Sequence, residues 1–261
     1  MSSIVTDQGI VHYEAYGRGA PVILLHGWIN SWDVWRDTML ALPDLGRYKV
    51  YALDFWGFGE SAKKETPPFQ IQSYAEMVSQ FMEIMGIMGA PVFGHSMGGT
   101  VTLTLALRDP QRVQKAAIVG SPINGNSLNI FLKLSGVSWI AHLAWTIPVI
   151  KKMVMWIVLA GDSSRVRKMI FRDIGKTNTE SFFRSIGDLH RTDLRGQLHK
   201  LTVPALGVFG AHDNIVNPNQ SQLLAKGVPH AQIEMMEESR HFPMLDEPAR
   251  FIEIVQRFLA L

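Results

Sequence analysis

Cysteine is absent from all 261 residues. That excludes a thiol nucleophile and a structural disulfide, and it is compatible with either a reducing or an oxidising compartment. Charge is scarce too: charged residues make up 18% of the chain and the net charge is +2. So even a balance advertises neither nucleic-acid binding nor stable membrane insertion. The stretch Met1 to Asp7 has neither a basic start nor an apolar core, so it does not read as a secretory leader and a cytoplasmic protein is expected. Internal repeats and low-complexity segments are also missing. No cluster of histidines or carboxylates has ligand spacing, so neither a metal nor a cofactor is expected. What is abundant is apolar sequence, 47% of the chain, enough at this length to bury a large globular core.

Strand and helix signals alternate through the first half. Ser3 to Gly17, around the turn signal Asp7-Gln8-Gly9, predicts two short antiparallel strands. Pro21 to Leu25 is a continuous apolar run, as in a strand buried on both faces. Ser31 to Leu42 has helical spacing with Ser31 as N-cap, Tyr48 to Phe55 reads as a strand, and Ile71 to Met85 reads as an amphipathic helix. Val113 to Gly120 is a further strand. This alternation predicts an α/β fold with a doubly wound, mostly parallel sheet. It breaks at Ser121-Pro122 and resumes with strands at Val203 to Gly210 and Gln232 to Met236, a helix at Asn219 to Gly227, and a terminal amphipathic helix at Pro248 to Leu261. The expected division is therefore a core of residues 1–122 and 198–261 with an inserted helical cap, 123–197. Within the cap, Ser135 to Gly161 is apolar enough to suggest a membrane span, but Pro148, Lys151, Lys152 and His142 interrupt it. Charges and a proline in mid-span are costly.

The stretch Gly94-His95-Ser96-Met97-Gly98-Gly99 follows the apolar Pro91-Val92-Phe93 and precedes a helical run from Thr100 to Leu107. Gly-x-Ser-x-Gly between strand and helix is a nucleophile elbow, whose turn is too tight for a Cβ two residues either side of the serine. It exposes the Ser96 hydroxyl above the free N–H groups of a helix N-terminus. A serine hydroxyl needs a neutral imidazole to take its proton and a carboxylate to orient that imidazole. In such a sheet the partners belong in loops after strands. Asp213 follows the strand ending at Gly210 and His241 follows the last strand, giving the order Ser96, Asp213, His241. The other histidines lack that context: His12, His142, His190 and His199 read as packing or surface residues, His212 shapes the Asp213 turn, and His230 lies at the wrong end of its strand. Asp54 follows a strand but sits in a glycine-bearing structural turn, and Asp246 reads as the N-cap of the terminal helix. The oxyanion hole needs two preorganised N–H donors; the backbones of Met97 and Trp28 are placed to supply them, with His26 and Gly27 shaping the Trp28 loop.

These motifs resemble the α/β-hydrolases of lidded esterase, carbon–carbon hydrolase and perhydrolase type. The resemblance rests on His26-Gly27, Asp54-Phe55-Trp56-Gly57-Phe58-Gly59-Glu60-Ser61, Gly94 to Gly99, Gly210-Ala211-His212-Asp213 and His241-Phe242-Pro243. Epoxide hydrolases and haloalkane dehalogenases resemble this pattern with aspartate at the elbow. A serine alkylated by their substrates would be a stable ether, so Ser96 argues against both. An acyl-serine intermediate implies esters, thioesters, amides or activated ketones. Carbon–carbon hydrolases usually show Asn and Trp where this chain has His95 and Phe242, which makes them the runner-up; a ligand receptor on a hydrolase core is the third possibility. The expected substrate is a small apolar ester or activated acyl compound of small to medium acyl group. Trp28, His95 and Phe242 from the core, with Trp139, Trp145 and Met153 from the cap, are the expected pocket residues.

Overall fold

The runs expected to be buried on both faces form the middle of one sheet, because only a strand flanked by partners and covered by helices can be apolar throughout. A computed structural model describes residues 2–42, 46–61, 69–129, 132 and 163–260. Its strands are β1 (Ser2–Thr6), β2 (Gly9–Gly17), β3 (Ala20–Leu25), β4 (Tyr48–Leu53), β5 (Ala90–His95), β6 (Val113–Val119), β7 (Ala205–Gly210) and β8 (Gln232–Met236). They form an eight-stranded sheet in the order β1-β2-β4-β3-β5-β6-β7-β8. β2 runs antiparallel to β1 and β4, and every other neighbouring pair is parallel. All of β5 and β7 is buried, whereas β1 at one edge is mostly exposed.

The chain adds β4 on one side of β3 and β5 on the other, so the strand order reverses between β3 and β5. Leu25 at the end of β3 pairs with Gly94 near the end of β5. The loops after these two strands, carrying Trp28 and Ser96, therefore open into one crevice at the carboxyl edge, where open α/β sheets bind ligands.

The helix after β5, Met97–Arg108, is buried from Met97 through Ala106. Its threonines fit that setting because each hydroxyl has a carbonyl partner: Thr100 donates to Pro122 (2.7 Å), Thr102 to Gly98 (2.9 Å) and Thr104 to Thr100 (2.8 Å). A buried hydroxyl left unpaired would cost about 1–3 kcal/mol. Helix Ile71–Ile84 buries Tyr74, Met77, Val78 and Phe81 along one face, and the terminal helix Pro248–Ala260 buries Phe251, Ile254, Val255 and Phe258.

Two local expectations need correction. Residues 31–42 form a 3-10 turn, Trp32–Trp35, followed by helix Arg36–Ala41, and Ser31 makes no cap bond. Its hydroxyl instead donates to buried Asp173, 142 residues away (2.9 Å). Asp246 ends a short helix, Pro243–Asp246, and accepts from the Arg240 N–H (2.9 Å); the terminal helix starts separately at Pro248.

Between β6 and β7 the strand alternation is interrupted by helices Ser164–Ile174 and Thr179–Arg191. Each has a side-chain N-cap: Ser163 accepts from Val166 N–H (3.2 Å) and Asn178 from Glu180 N–H (2.7 Å). Polar contacts fix them to the sheet side. The Gly57 carbonyl accepts from Asn178 N–H and Ser181 Oγ, both at 3.0 Å. Asp188 accepts from Ile71 N–H (2.8 Å), and Arg172 bridges Asp33 and Asp173 at 2.7 Å each. Trp139, Trp145, Met153 and the apolar stretch 135–161 lie outside the described residues. Among the described residues no helix is long and apolar enough to cross a membrane.

Candidate active site

Ser96 is one of two described non-glycine residues with positive φ, at 51°. The turn is forced by packing: a Cβ on Gly94 would overlap the Gly98 carbonyl, and one on Gly98 would come within 2.5 Å of the Leu25 and His26 carbonyls. Ser96 is held there by its own N–H, which donates to Val119 (2.8 Å), and by its carbonyl, which accepts from Gly99 N–H (2.9 Å). The Met97 N–H is at the first position of the buried helix, where no intrahelical acceptor exists.

His241 and Asp213 meet across the ends of β7 and β8. His241 Nδ1 lies 2.8 Å from Asp213 Oδ2, and both side chains are almost wholly buried. The other carboxylate oxygen, Oδ1, accepts from Ile215 N–H (2.8 Å) and Val216 N–H (2.9 Å). The carboxylate is thus fixed at both oxygens. Because an aspartate accepts, the imidazole proton resides on Nδ1, and Nε2 keeps the lone pair a base requires. His241 and Ser96 both line one cavity of about 40 Å³.

Trp28 lines the same cavity. The Gly27 carbonyl accepts from Asn30 N–H (3.2 Å), closing a four-residue turn whose third residue, Ile29, has φ 57°. A β-branched residue in that region is strained, and such strain persists where the surroundings over-determine it. The turn is secured from two sides. The Trp28 indole N–H donates to the Phe182 carbonyl of the second inserted helix (3.0 Å), with the two rings 4.2 Å apart. Below it, His26 Nδ1 donates to Gly27 O (2.6 Å) while Nε2 accepts from Phe55 N–H (3.0 Å). Burial pushes the His26 pKa down to about 4, so this ring is a neutral strut.

His95 differs from its expected place in the pocket wall. It is fully buried, and its Nε2 donates to the His241 carbonyl (2.8 Å), tying the end of β5 to the loop that carries His241. Burial, then the proximity of His241, hold its pKa well below the ordinary imidazole value. Phe242 does line the cavity. Asp54 is the structural turn residue expected: its carboxylate accepts from Trp32 N–H (2.6 Å) and Glu60 N–H (2.9 Å). Burial raises its pKa to about 7 against those two bonds. The remaining walls are Ile29, Asn30, Leu128, Leu132, Ile170, Ile186, Leu189 and Ile215. Ile186 and Leu189 share a helical face with Phe182, a spacing the sequence does carry; Ile29 and Asn30 had no such signal. Among the described residues no group of three histidines or carboxylates could hold a metal ion.

A doubly wound sheet with a serine elbow, an oriented imidazole and an apolar cavity at its carboxyl edge defines an α/β-hydrolase. The chain matches the alpha/beta hydrolase fold family over residues 20–248 and belongs to it. It is 27% identical, over 95% of its length and 99% of the relative's, to the pimeloyl-[acyl-carrier protein] methyl ester esterase of Aeromonas hydrophila. Among solved structures it superposes on an esterase from Exiguobacterium antarcticum (TM-score 0.87, 19% identity, 100% of this chain and 99% of that one). It also superposes on the enol-lactonase of Burkholderia xenovorans (TM-score 0.82, 21% identity, 100% of both chains). These structural likenesses carry the fold. The esterase-type relatives support a hydrolytic enzyme acting on small-molecule esters.

Proposed function

We propose that the protein is a serine ester hydrolase of short apolar acyl groups. Ser96 is the nucleophile, His241 the general base and then acid, and Asp213 the orienting carboxylate. Met97 and Trp28 supply the oxyanion N–H groups, and residues 123–197 form a lid. The observation that carries it is the His241–Asp213 bond, with the second carboxylate oxygen occupied by backbone, on the same cavity as a serine held at positive φ. Ser96 Oγ attacks the ester carbonyl as its proton passes to His241 Nε2. The carbonyl oxygen becomes an oxyanion held by the two N–H groups, and His241 returns the proton to the departing alcohol. Water, activated by the same imidazole, then releases the acid.

The cavity limits the acyl chain. A water-sized group needs roughly 10–15 Å³ of such free space, so 40 Å³ takes a chain of about two to four carbons. Each added methylene contributes about 0.8 kcal/mol, roughly fourfold in kcat/KM, until the space is full. With p-nitrophenyl esters from acetate to octanoate, kcat/KM is expected to rise to about butyrate and then fall. A continued rise to octanoate would contradict this and make the lid an open one.

A further inference from the structure

One polar side chain in this apolar cavity has no assigned work. Asn30 lines it and is 2% exposed, yet its Oδ1 has no hydrogen-bond partner. The orphan lies beside the chemistry. The site a Cβ on Gly27 would occupy is 2.8 Å from His95 Nδ1, 3.0 Å from Ser96 Cβ and 3.2 Å from Asn30 Nδ2. The amide therefore lies close to the Ser96 side chain, across the Gly27 backbone. Apart from Ser96 and His241 the other walls of the cavity are aliphatic or aromatic, among them Ile29, Ile170 and Ile215, and offer the amide oxygen no donor.

A buried amide oxygen without a donor is costly, and a wall filled by leucine in its place would be free of that cost. We infer that Asn30 is a specificity-determining residue that hydrogen-bonds a hydroxyl on the acyl chain close to the scissile carbonyl, so that the preferred esters are short hydroxyacyl esters rather than plain alkanoates. This rests on the serine-hydrolase reading and adds one hydroxyl to the otherwise apolar short acyl group proposed for it. A hydroxyl suits the position because it is both donor and acceptor. The amide's oxygen and nitrogen exchange places on a half-turn of the side chain, and a hydroxyl satisfies whichever end it meets. A site with a buried polar group discriminates strongly against the analogue that leaves that group unpaired.

The test compares methyl butyrate with methyl 2-hydroxybutyrate and methyl 3-hydroxybutyrate by pH-stat, in the wild type, Asn30→Leu and Asn30→Ser. Fluorophosphonate labelling of Ser96 is the measure of a folded, competent site in each. In the wild type at least one hydroxy ester is expected to exceed butyrate in kcat/KM by about tenfold or more. In Asn30→Leu that advantage disappears, and in Asn30→Ser, which keeps a small polar group, part of it returns. A labelled wild type with no preference for either hydroxy ester overturns the inference, as does a preference that survives in labelled Asn30→Leu. Failure of the wild type to label, by contrast, overturns the serine-hydrolase reading itself.

Discussion

Removing His26 or Asp54 should tilt the pH dependence of stability in opposite directions. His26 Nε2 accepts from Phe55 N–H, and the ring packs between Phe55 and Phe58 with centroids 4.8 and 5.8 Å away. A second proton would be buried without solvent and aimed at another donor. Its folded pKa of about 4 lies below the ordinary 6.5, so between those values the unfolded chain binds more protons and stability is lost as pH falls. Asp54 is the reverse. Its folded pKa of about 7 lies above the ordinary 3.8, the folded state binds more protons in that window, and stability is lost as pH rises. From pH 8 to pH 5 the linkage relation gives a loss of about 2 kcal/mol from His26 and a gain of about 2–3 kcal/mol from Asp54. The two nearly cancel in the wild type, over a loss from His95, whose pKa burial also depresses. Urea unfolding followed by tryptophan fluorescence at both pH values separates them. Relative to wild type, His26→Gln should gain about 2 kcal/mol on acidification and Asp54→Asn should lose about 2–3 kcal/mol. The reasoning is refuted if both variants track the wild type within about 0.5 kcal/mol.

Trp28→Phe removes the indole N–H and its bond to the Phe182 carbonyl, which keeps the Ser185 hydroxyl as a donor (3.4 Å), so denaturant titration should show a loss of about 0.5–1.5 kcal/mol; a neutral result would mean the loop is not tied to the inserted helix. Gly57→Ala puts a Cβ at φ 83° into the Ser181 side chain, and a cost of about 1–3 kcal/mol is expected on the same assay. A stability unchanged within about 0.5 kcal/mol would deny that the Gly57 carbonyl anchors that helix. Asp213→Asn keeps the shape but places a donor against His241 Nδ1, which forces the wrong tautomer. Turnover of p-nitrophenyl acetate should fall on the order of 10³–10⁴-fold with an unchanged circular dichroism spectrum, and a loss under about tenfold would displace Asp213 as the orienting acid.

The sheet was legible because its signals are local. Pro21 to Leu25, buried, and Gln232 to Met236, half-buried at the sheet edge, each show their length in a handful of neighbours, and the sheet places both within a residue of the expected bounds. The elbow was legible because a tight turn restricts the residues at its own positions. The Ser31 hydroxyl was misread as a cap because its partner, Asp173, arrives from a segment 142 residues on, and no local pattern records that. Asp246 was misplaced for a related reason: Pro243 starts a short helix and Pro248 a second, so the acid ends one instead of capping the other. His95 stands next to Ser96 in sequence, but its ring reaches the His241 backbone instead of the cavity. Asn30 was invisible as a candidate because its interest lies in a hydrogen bond it does not make, which only the packed structure reveals.

The central claim is that Ser96 becomes acylated by the substrate with His241 as its base. Incubation with a fluorophosphonate, followed by intact-mass measurement and peptide mapping, tests it most directly. One phosphonyl adduct is expected, on Ser96, with parallel loss of ester hydrolysis, and none on Ser96→Ala. An adduct on another residue, or ester turnover retained by Ser96→Ala, would contradict the account.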